Sequence, residues 1–221
     1  RLVTALGPDR PLTVMGSAGG LLSHGEAQRH PVHTVLSGPA GGVVGAWRVG
    51  QRSGRNRLLT LDMGGTSTDV SVIVGTLTPE DEAHLAEHPL RVPLLPIETV
   101  GAGGGSIAYL DAGGILRVGP ESAGARPGPA CYGHAGAAAR PTVTDANVVL
   151  GRLTTLLGGA FPLDVHAAQR AVDQIAAPLE VDVETAARAI VEVAEANMAR
   201  ACKRVTMERG IDPRTLVLVA F

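Results

Sequence analysis

Residues 58–74 read LLTLDMGGTSTDVSVIV, two apolar runs on either side of a polar, glycine-containing centre. Leu58–Leu61 and Val70–Val74 are rich in Leu, Ile and Val, side chains that suit a buried pleated surface. With turn residues between them they predict two strands joined as a hairpin. Upstream, Leu12–Met15 predicts a short buried strand ending in the turn Gly16–Gly20. Ser37-Gly-Pro-Ala-Gly-Gly42 leads into a helix over Val43–Val49 that starts near Pro39, because proline's missing N–H costs nothing in a first helical turn. Thr76–Pro96 is polar and punctuated by proline, which predicts a surface excursion. Downstream, strands at Ile107–Leu110 and Ile115–Val118 flank the turn Asp111-Ala-Gly-Gly114. Helices follow over Thr144–Arg152, Val165–Ala176 and Val183–Arg209. The last has Asp182 as N-cap, Glu184 in its first turn, and Gly210 and Pro213 beyond its end. Val183, Ala187, Ile190, Ala194 and Met198 share its apolar face. Leu216–Phe221 predicts a buried strand. Strands and helices alternate, so the fold class is α/β, with hairpins and a long C-terminal helix.

Composition narrows the chemistry. Hydrophobic residues make up 45% of the 221 and charged residues 18%, so the chain can bury a core and is not a disordered one. Aromatics are only 2%, which leaves Val, Leu, Ile and Ala to build that core. The formal net charge of −2 comes without a basic block, so nucleic acid and anionic membrane are poor partners. No apolar run approaches the ~18–20 residues of a membrane span, and the opening RLVTALGPDR has no apolar signal-peptide core. The two cysteines, Cys131 and Cys202, make neither a disulfide framework nor a zinc module, which points to a reducing, cytoplasmic setting. The chain lacks an initiator Met and is expected to be a piece of a longer polypeptide.

The hairpin centre is Asp62-Met-Gly-Gly-Thr-Ser-Thr-Asp69. Gly64 and Gly65 let the backbone take positive φ and approach a ligand with no Cβ in the way. Successive N–H groups in such a turn form a concavity for an anion. Thr66, Ser67 and Thr68 add three hydroxyls, and Asp62 and Asp69 bracket the tip, where they could orient the waters of a hydrated Mg²⁺. A bare Gly-Gly hairpin is an ordinary turn; the hydroxyls and carboxylates set this one apart. Gly101–Ser106, with Gly103, Gly104 and Gly105, could approach phosphate or substrate, or only turn the chain tightly. Asp145 reads as a helix cap with Thr142 rather than a metal ligand. His84 and His88 stand i, i+4, the spacing of one helix face, but lack a third ligand. Cys131 reads as a buried thiol.

Five stretches carry a resemblance: TVLSGPAGGVVGA (34–46), LTLDMGGTSTDVSV (59–72), TVGAGGGSIA (99–108), AGARPGPACYG (123–133) and PTVTDANVVLGRL (141–153). Together they resemble the hydantoinase A/5-oxoprolinase family, and 62–69 is similar to the second phosphate loop of the actin-like ATPase, or ribonuclease H-like, fold. The resemblance runs from about Leu12 to Phe221 and implies that 1–221 is part of a hydantoinase A/oxoprolinase domain. It implies an incomplete fold, without the family's N-terminal first phosphate loop and without the adenosine loop expected after Phe221. It implies ATP and Mg²⁺ as cofactors, with Asp62 and Asp69 as catalytic residues that hold the metal through water. Gly64–Thr68 and Gly103–Gly105 would contact the nucleotide. Two departures stand out: family members often carry Asp where Pro96 and Arg126 stand, and Glu98 is a candidate substitute for the first. A dinucleotide fingerprint is not matched, because Gly101-Ala-Gly-Gly-Gly-Ser106 ends in Ser, and no P-loop is present.

The activity so implied is ATP-dependent hydrolysis of a cyclic amide, such as a hydantoin or 5-oxoproline, with the carbonyl activated by phosphorylation. A hydantoinase B-like partner subunit or domain would complete the reaction. The alternatives are the ATP-binding subunit of a ketone carboxylase, and a regulatory ATPase of the same fold that turns over no small substrate. Stimulation of ATP hydrolysis by a lactam or ketone, as against a protein partner, separates enzyme from regulator.

Overall fold

A computed structural model describes residues 5–7, 11–81, 83–85, 88–134 and 140–221, with backbone alone for 83–85 and 88–90. These residues form two compact units: 1–62, 69–98 and 205–221 make one, 63–68 and 99–204 the other.

In the first unit, β1 (Thr13–Met15) and β2 (Leu21–Ser23) pair antiparallel, and Ser23 starts the short helix α1 (His24–Arg29) with a reciprocal cap to Glu26. Helix α2 (Ser37–Arg52) begins two residues before Pro39. A four-stranded sheet follows in the order β12 (Val217–Ala220), β3 (Arg57–Met63), β4 (Thr68–Val74), β7 (Glu98–Val100). β12 runs parallel to β3, from Val217 opposite Leu58 to Ala220 opposite Leu61. Neighbouring strands joined by a turn as short as 64–67 can only run antiparallel, so β3 and β4 form the expected hairpin. The core is Ala40 and Val43 of α2 packed on Leu58, Ile73 and Leu95. Glycine at position 50 permits this packing: a Cβ there would stand 2.5 Å from Leu58 Cδ1.

The structure departs from three expectations. Thr76–Pro96 is not wholly a surface excursion, because Leu94 and Leu95 are buried and the Leu95 N–H donates to the Ser17 carbonyl at 2.8 Å. Within it, β5 (Ala83–Leu85) and β6 (His88–Leu90) pair antiparallel, so His84 and His88 stand on facing strands and not on one helix face. The last strand forms as expected but is not buried: Val217, Leu218 and Phe221 are exposed.

In the second unit, β8 (Ser106–Leu110) and β9 (Leu116–Ser122) form a hairpin, followed by α3 (Val143–Val149). A small antiparallel pair, β10 (Thr155–Leu156) and β11 (Phe161–Pro162), precedes helix α4 (Val165–Ala176) and the long helix α5 (Val183–Met207). With few aromatics to place, the core is built from small side chains: Ala108, Ala146, Val172, Ala187, Ile190 and Ala194. Asp182 caps α5 by accepting the Thr185 N–H at 2.8 Å, and Gly210 at φ 63° ends the segment. No helix of the described residues is long and apolar enough to cross a membrane.

Candidate functional site

Strand β3 delivers Asp62 and Met63 to the tip, the chain turns through 64–67, and β4 takes it up at Thr68. The Gly64 N–H closes the turn on the Ser67 carbonyl at 2.9 Å. Neither Gly64 nor Gly65 has a positive φ, contrary to the expectation for this turn. The need for glycine arises instead from a second loop laid against the first. A Cβ on Gly103 would lie 2.7 Å from the Thr66 N and C atoms and 2.8 Å from the Gly64 oxygen, and one on Gly105 would lie 2.8 Å from the Gly65 oxygen. Real Cβ atoms do not approach backbone that closely, so only glycine fits at 103 and 105.

Hydrogen bonds fasten the two loops. The Gly104 N–H donates to the Gly64 carbonyl at 3.0 Å and the Gly105 N–H to the Gly65 carbonyl at 2.6 Å. The Gly103 N–H donates to Ser106 Oγ at 2.8 Å. The amides of Gly104 and Gly105 are thus committed to holding the tip, and that of Gly103 to closing its own loop on Ser106. One of the three tip hydroxyls is committed too, because Thr68 is buried and donates to the Ala102 carbonyl. What remains outward is the N–H groups of Gly65 and Thr66 and the hydroxyls of Thr66 and Ser67, which no hydrogen bond among the described residues engages. These are donors of the kind that can hold an anion.

Asp62 and Asp69 flank this tip. Asp62 is half-buried, and burial first, then the charge of Asp69, push its carboxyl above the ordinary aspartate range. Gly42 of α2 lies beside it: a Cβ there would make ordinary contact with Asp62 Oδ2 at 3.4 Å but would stand only 2.6 Å from the Phe221 ring, so it is Phe221 that requires glycine. Among the described residues no group of three or more His, Cys, Asp or Glu side chains could hold a metal ion. Two repelling carboxylates beside hydroxyls suit a hydrated Mg²⁺, held largely through water, better than a cation stripped of its shell. The donors of the tip fit a phosphate group, and the chemistry of the two carboxylates fits a hydrated magnesium ion.

The other candidates resolve into structure. Asp145 is buried and accepts four hydrogen bonds: from the Thr142 N–H and hydroxyl at 2.9 and 2.8 Å, and from the N–H groups of Cys131 and Ala130 at 2.8 and 3.3 Å. It caps α3, as its spacing predicts, and ties the 130–132 turn to it. Cys131 is buried, and burial, followed by the Asp145 charge, pushes its thiol far above the usual range, which makes it unreactive. The Pro96 carbonyl accepts the Ser71 hydroxyl at 2.8 Å, Glu98 is half-buried at the start of β7, and Arg126 is exposed ahead of Pro127. Two open cavities of about 420 Å³ each share Glu80, Leu95, Pro96 and Arg209, and no tip residue lines either.

Sequence reasoning passed over one residue of this assembly. Thr144 sends both its N–H and its hydroxyl to the Gly104 carbonyl, each at 2.7 Å. Its only signal was membership of the stretch PTVTDANVVLGRL.

Comparison with known proteins identifies the relatives of this chain. The chain is 42% identical over 222 residues to the caprolactamase subunit alpha of Pseudomonas jessenii, a match that covers 99% of this chain and 32% of that protein. It is 37% identical over 227 residues to 5-oxoprolinase 1 of Arabidopsis thaliana, covering 94% of this chain and 18% of the relative. A nucleotide-free structure of acetone carboxylase, from work on ATP-dependent acetone carboxylation, superposes with a TM-score of 0.88 at 34% identity, over 97% of this chain and 30% of that one. The α/β fold implied by the resemblance is therefore the fold the chain has. The profile of the Hydantoinase/oxoprolinase family matches residues 3–221. This chain belongs to the hydantoinase/oxoprolinase family.

Proposed function

We propose that these residues form the phosphate-holding part of an ATP-dependent enzyme subunit that activates a cyclic amide by phosphorylating its carbonyl oxygen. The observation that carries the reading is the hairpin tip: unengaged N–H groups and hydroxyls flanked by two carboxylates, on a backbone fixed by a second loop. When bound, Mg·ATP supplies the phosphoryl group and neutralises the charge that develops on it. The Gly65 and Thr66 N–H groups and the Thr66 and Ser67 hydroxyls would donate to phosphate oxygens. Asp62 and Asp69 would orient the water shell of the metal. Gly103–Gly105 contribute by holding the tip, and through it the in-line geometry on which phosphoryl transfer depends.

A lactam is favoured over other substrates because two similar proteins are named for caprolactam and 5-oxoproline. A second reading, the ATP-using subunit of a ketone carboxylase, is favoured by the superposition on acetone carboxylase. Relatives named as subunits support a partner chain, of the hydantoinase B type. Two free cysteines and the lack of a membrane-crossing helix among the described residues support a cytoplasmic setting. The test is ATP hydrolysis by the full polypeptide with its partner. Stimulation by a five- or seven-membered lactam, abolished by Asp69→Asn, is the expected result. Stimulation only by a ketone with bicarbonate would select the carboxylase, and no response to either would refute an enzymatic role.

A further inference from the structure

We infer that Thr144 is a positioning residue for phosphoryl transfer, fixing the hairpin tip through Gly104; the inference rests on the reading of the tip as the phosphate loop. The Thr144 N–H and hydroxyl both donate to the Gly104 carbonyl at 2.7 Å, and the Gly104 N–H donates to the Gly64 carbonyl at 3.0 Å. The relay passes through a run of three glycines, the residue type with the softest backbone. A lone donor would leave such a run free to pivot about its carbonyl; two donors from one residue restrain it. Glycine at 104 is what lets Thr144 come this close, since a Cβ there would lie 2.9 Å from its Oγ1.

The far end of the relay is rigid. Thr144 stands in the first turn of α3, whose start is fixed by the reciprocal Thr142–Asp145 cap and by the Asp145 bonds to the N–H groups of Ala130 and Cys131. The order is therefore a fixed helix start, a soft glycine run, and a tip that must hold one shape. The hydroxyl is not needed to satisfy the Gly104 carbonyl, which the Thr144 N–H already does. Its removal orphans no backbone group, so its effect falls on the precision of the tip more than on folding.

The experiment uses the full polypeptide, wild type and Thr144→Val, with amide hydrogen exchange, equilibrium binding of Mg·ADP, and ATP turnover per Mg·ADP site. Thr144→Val should speed exchange at Gly104 and Gly105 by about 10-fold while exchange elsewhere is unchanged. Turnover per site should fall by about 10-fold, with a smaller change in KM for ATP. Thr144→Ser should restore both. Gly104→Ala, whose Cβ presses on the same hydroxyl, is the second variant and should reproduce the loss; combined with Thr144→Val it should add little. Unchanged exchange and turnover in Thr144→Val or Gly104→Ala, or a Ser variant as impaired as Val, would overturn the inference while wild-type nucleotide binding leaves the phosphate-loop reading intact. A wild-type protein that binds no Mg·ADP overturns that reading, and this one with it.

Discussion

Asp62 is held between two pressures, partial burial and the neighbouring charge of Asp69, and both raise its pKa. Asp69→Asn removes only the second, so the Asp62 carboxyl should titrate lower than in the wild type but still above an ordinary aspartate, as read by carbon NMR of that side chain. An unchanged titration would mean the two charges do not sense each other. The sign for stability follows: a raised folded-state pKa favours the protonated folded form. Its contribution is fully present below the unfolded pKa and is lost as pH rises through the folded value. On the proposed reading magnesium would compete with that proton, so metal affinity should weaken with acid sooner than for an unperturbed aspartate. That Asp62, Asp69 and the Thr66 and Ser67 hydroxyls come at one hairpin was legible in the sequence, because they sit within eight consecutive residues. The positions of Gly103 and Thr144 were not, since the Thr144–Gly104 bond joins residues 40 apart. The sequence pattern also placed the need for glycine in the wrong quantity: close backbone approach at Gly103 and Gly105 requires it, not φ at Gly64 or Gly65.

At the scale of elements, the start of α3 is organised by Asp145, a buried carboxylate that accepts four hydrogen bonds. Asp145→Ala strips acceptors from the buried N–H groups of Thr142, Cys131 and Ala130. A buried unsatisfied donor costs about 1–3 kcal/mol, so the variant should lose on the order of 3 kcal/mol or more in urea unfolding. A loss below about 1 kcal/mol would show that water replaces the carboxylate. The Cys131 thiol on the same turn, pushed up by burial, should resist alkylation at pH 8 in the native protein and react only after unfolding. Rapid native labelling would contradict its placement. The cap on α3, the cap on α5 and the bounds of α4 were legible because they rest on local signals: a capping residue, an acidic first turn, a closing glycine. The burial of Leu94 and Leu95 was not, because proline and polar neighbours masked them; Leu95 packs with Ala40 and Val43 of α2. The opposite error at Val217 and Leu218 has the same origin: hydrophobicity marks a strand, but exposure is set by what lies against it.

At the scale of the whole molecule, the family and the α/β fold were carried by five stretches spread over most of the chain, a pattern that composition alone does not contain. The chain spans 32% of the length of the caprolactamase subunit it resembles. One loop cannot position both ends of a triphosphate, so residues 1–221 alone should bind Mg·ATP far more weakly than the full polypeptide in titration calorimetry. Equal, micromolar binding by both would move the whole nucleotide site into these residues. The central claim is that the hairpin tip holds the phosphates, and a crystal structure of the full polypeptide with Mg·ADP tests it most directly. The account predicts a phosphate oxygen about 3 Å from the N–H of Gly65 or Thr66, with magnesium-bound water against Asp62 or Asp69. Nucleotide bound with its phosphates on other residues, and the tip untouched, would contradict it.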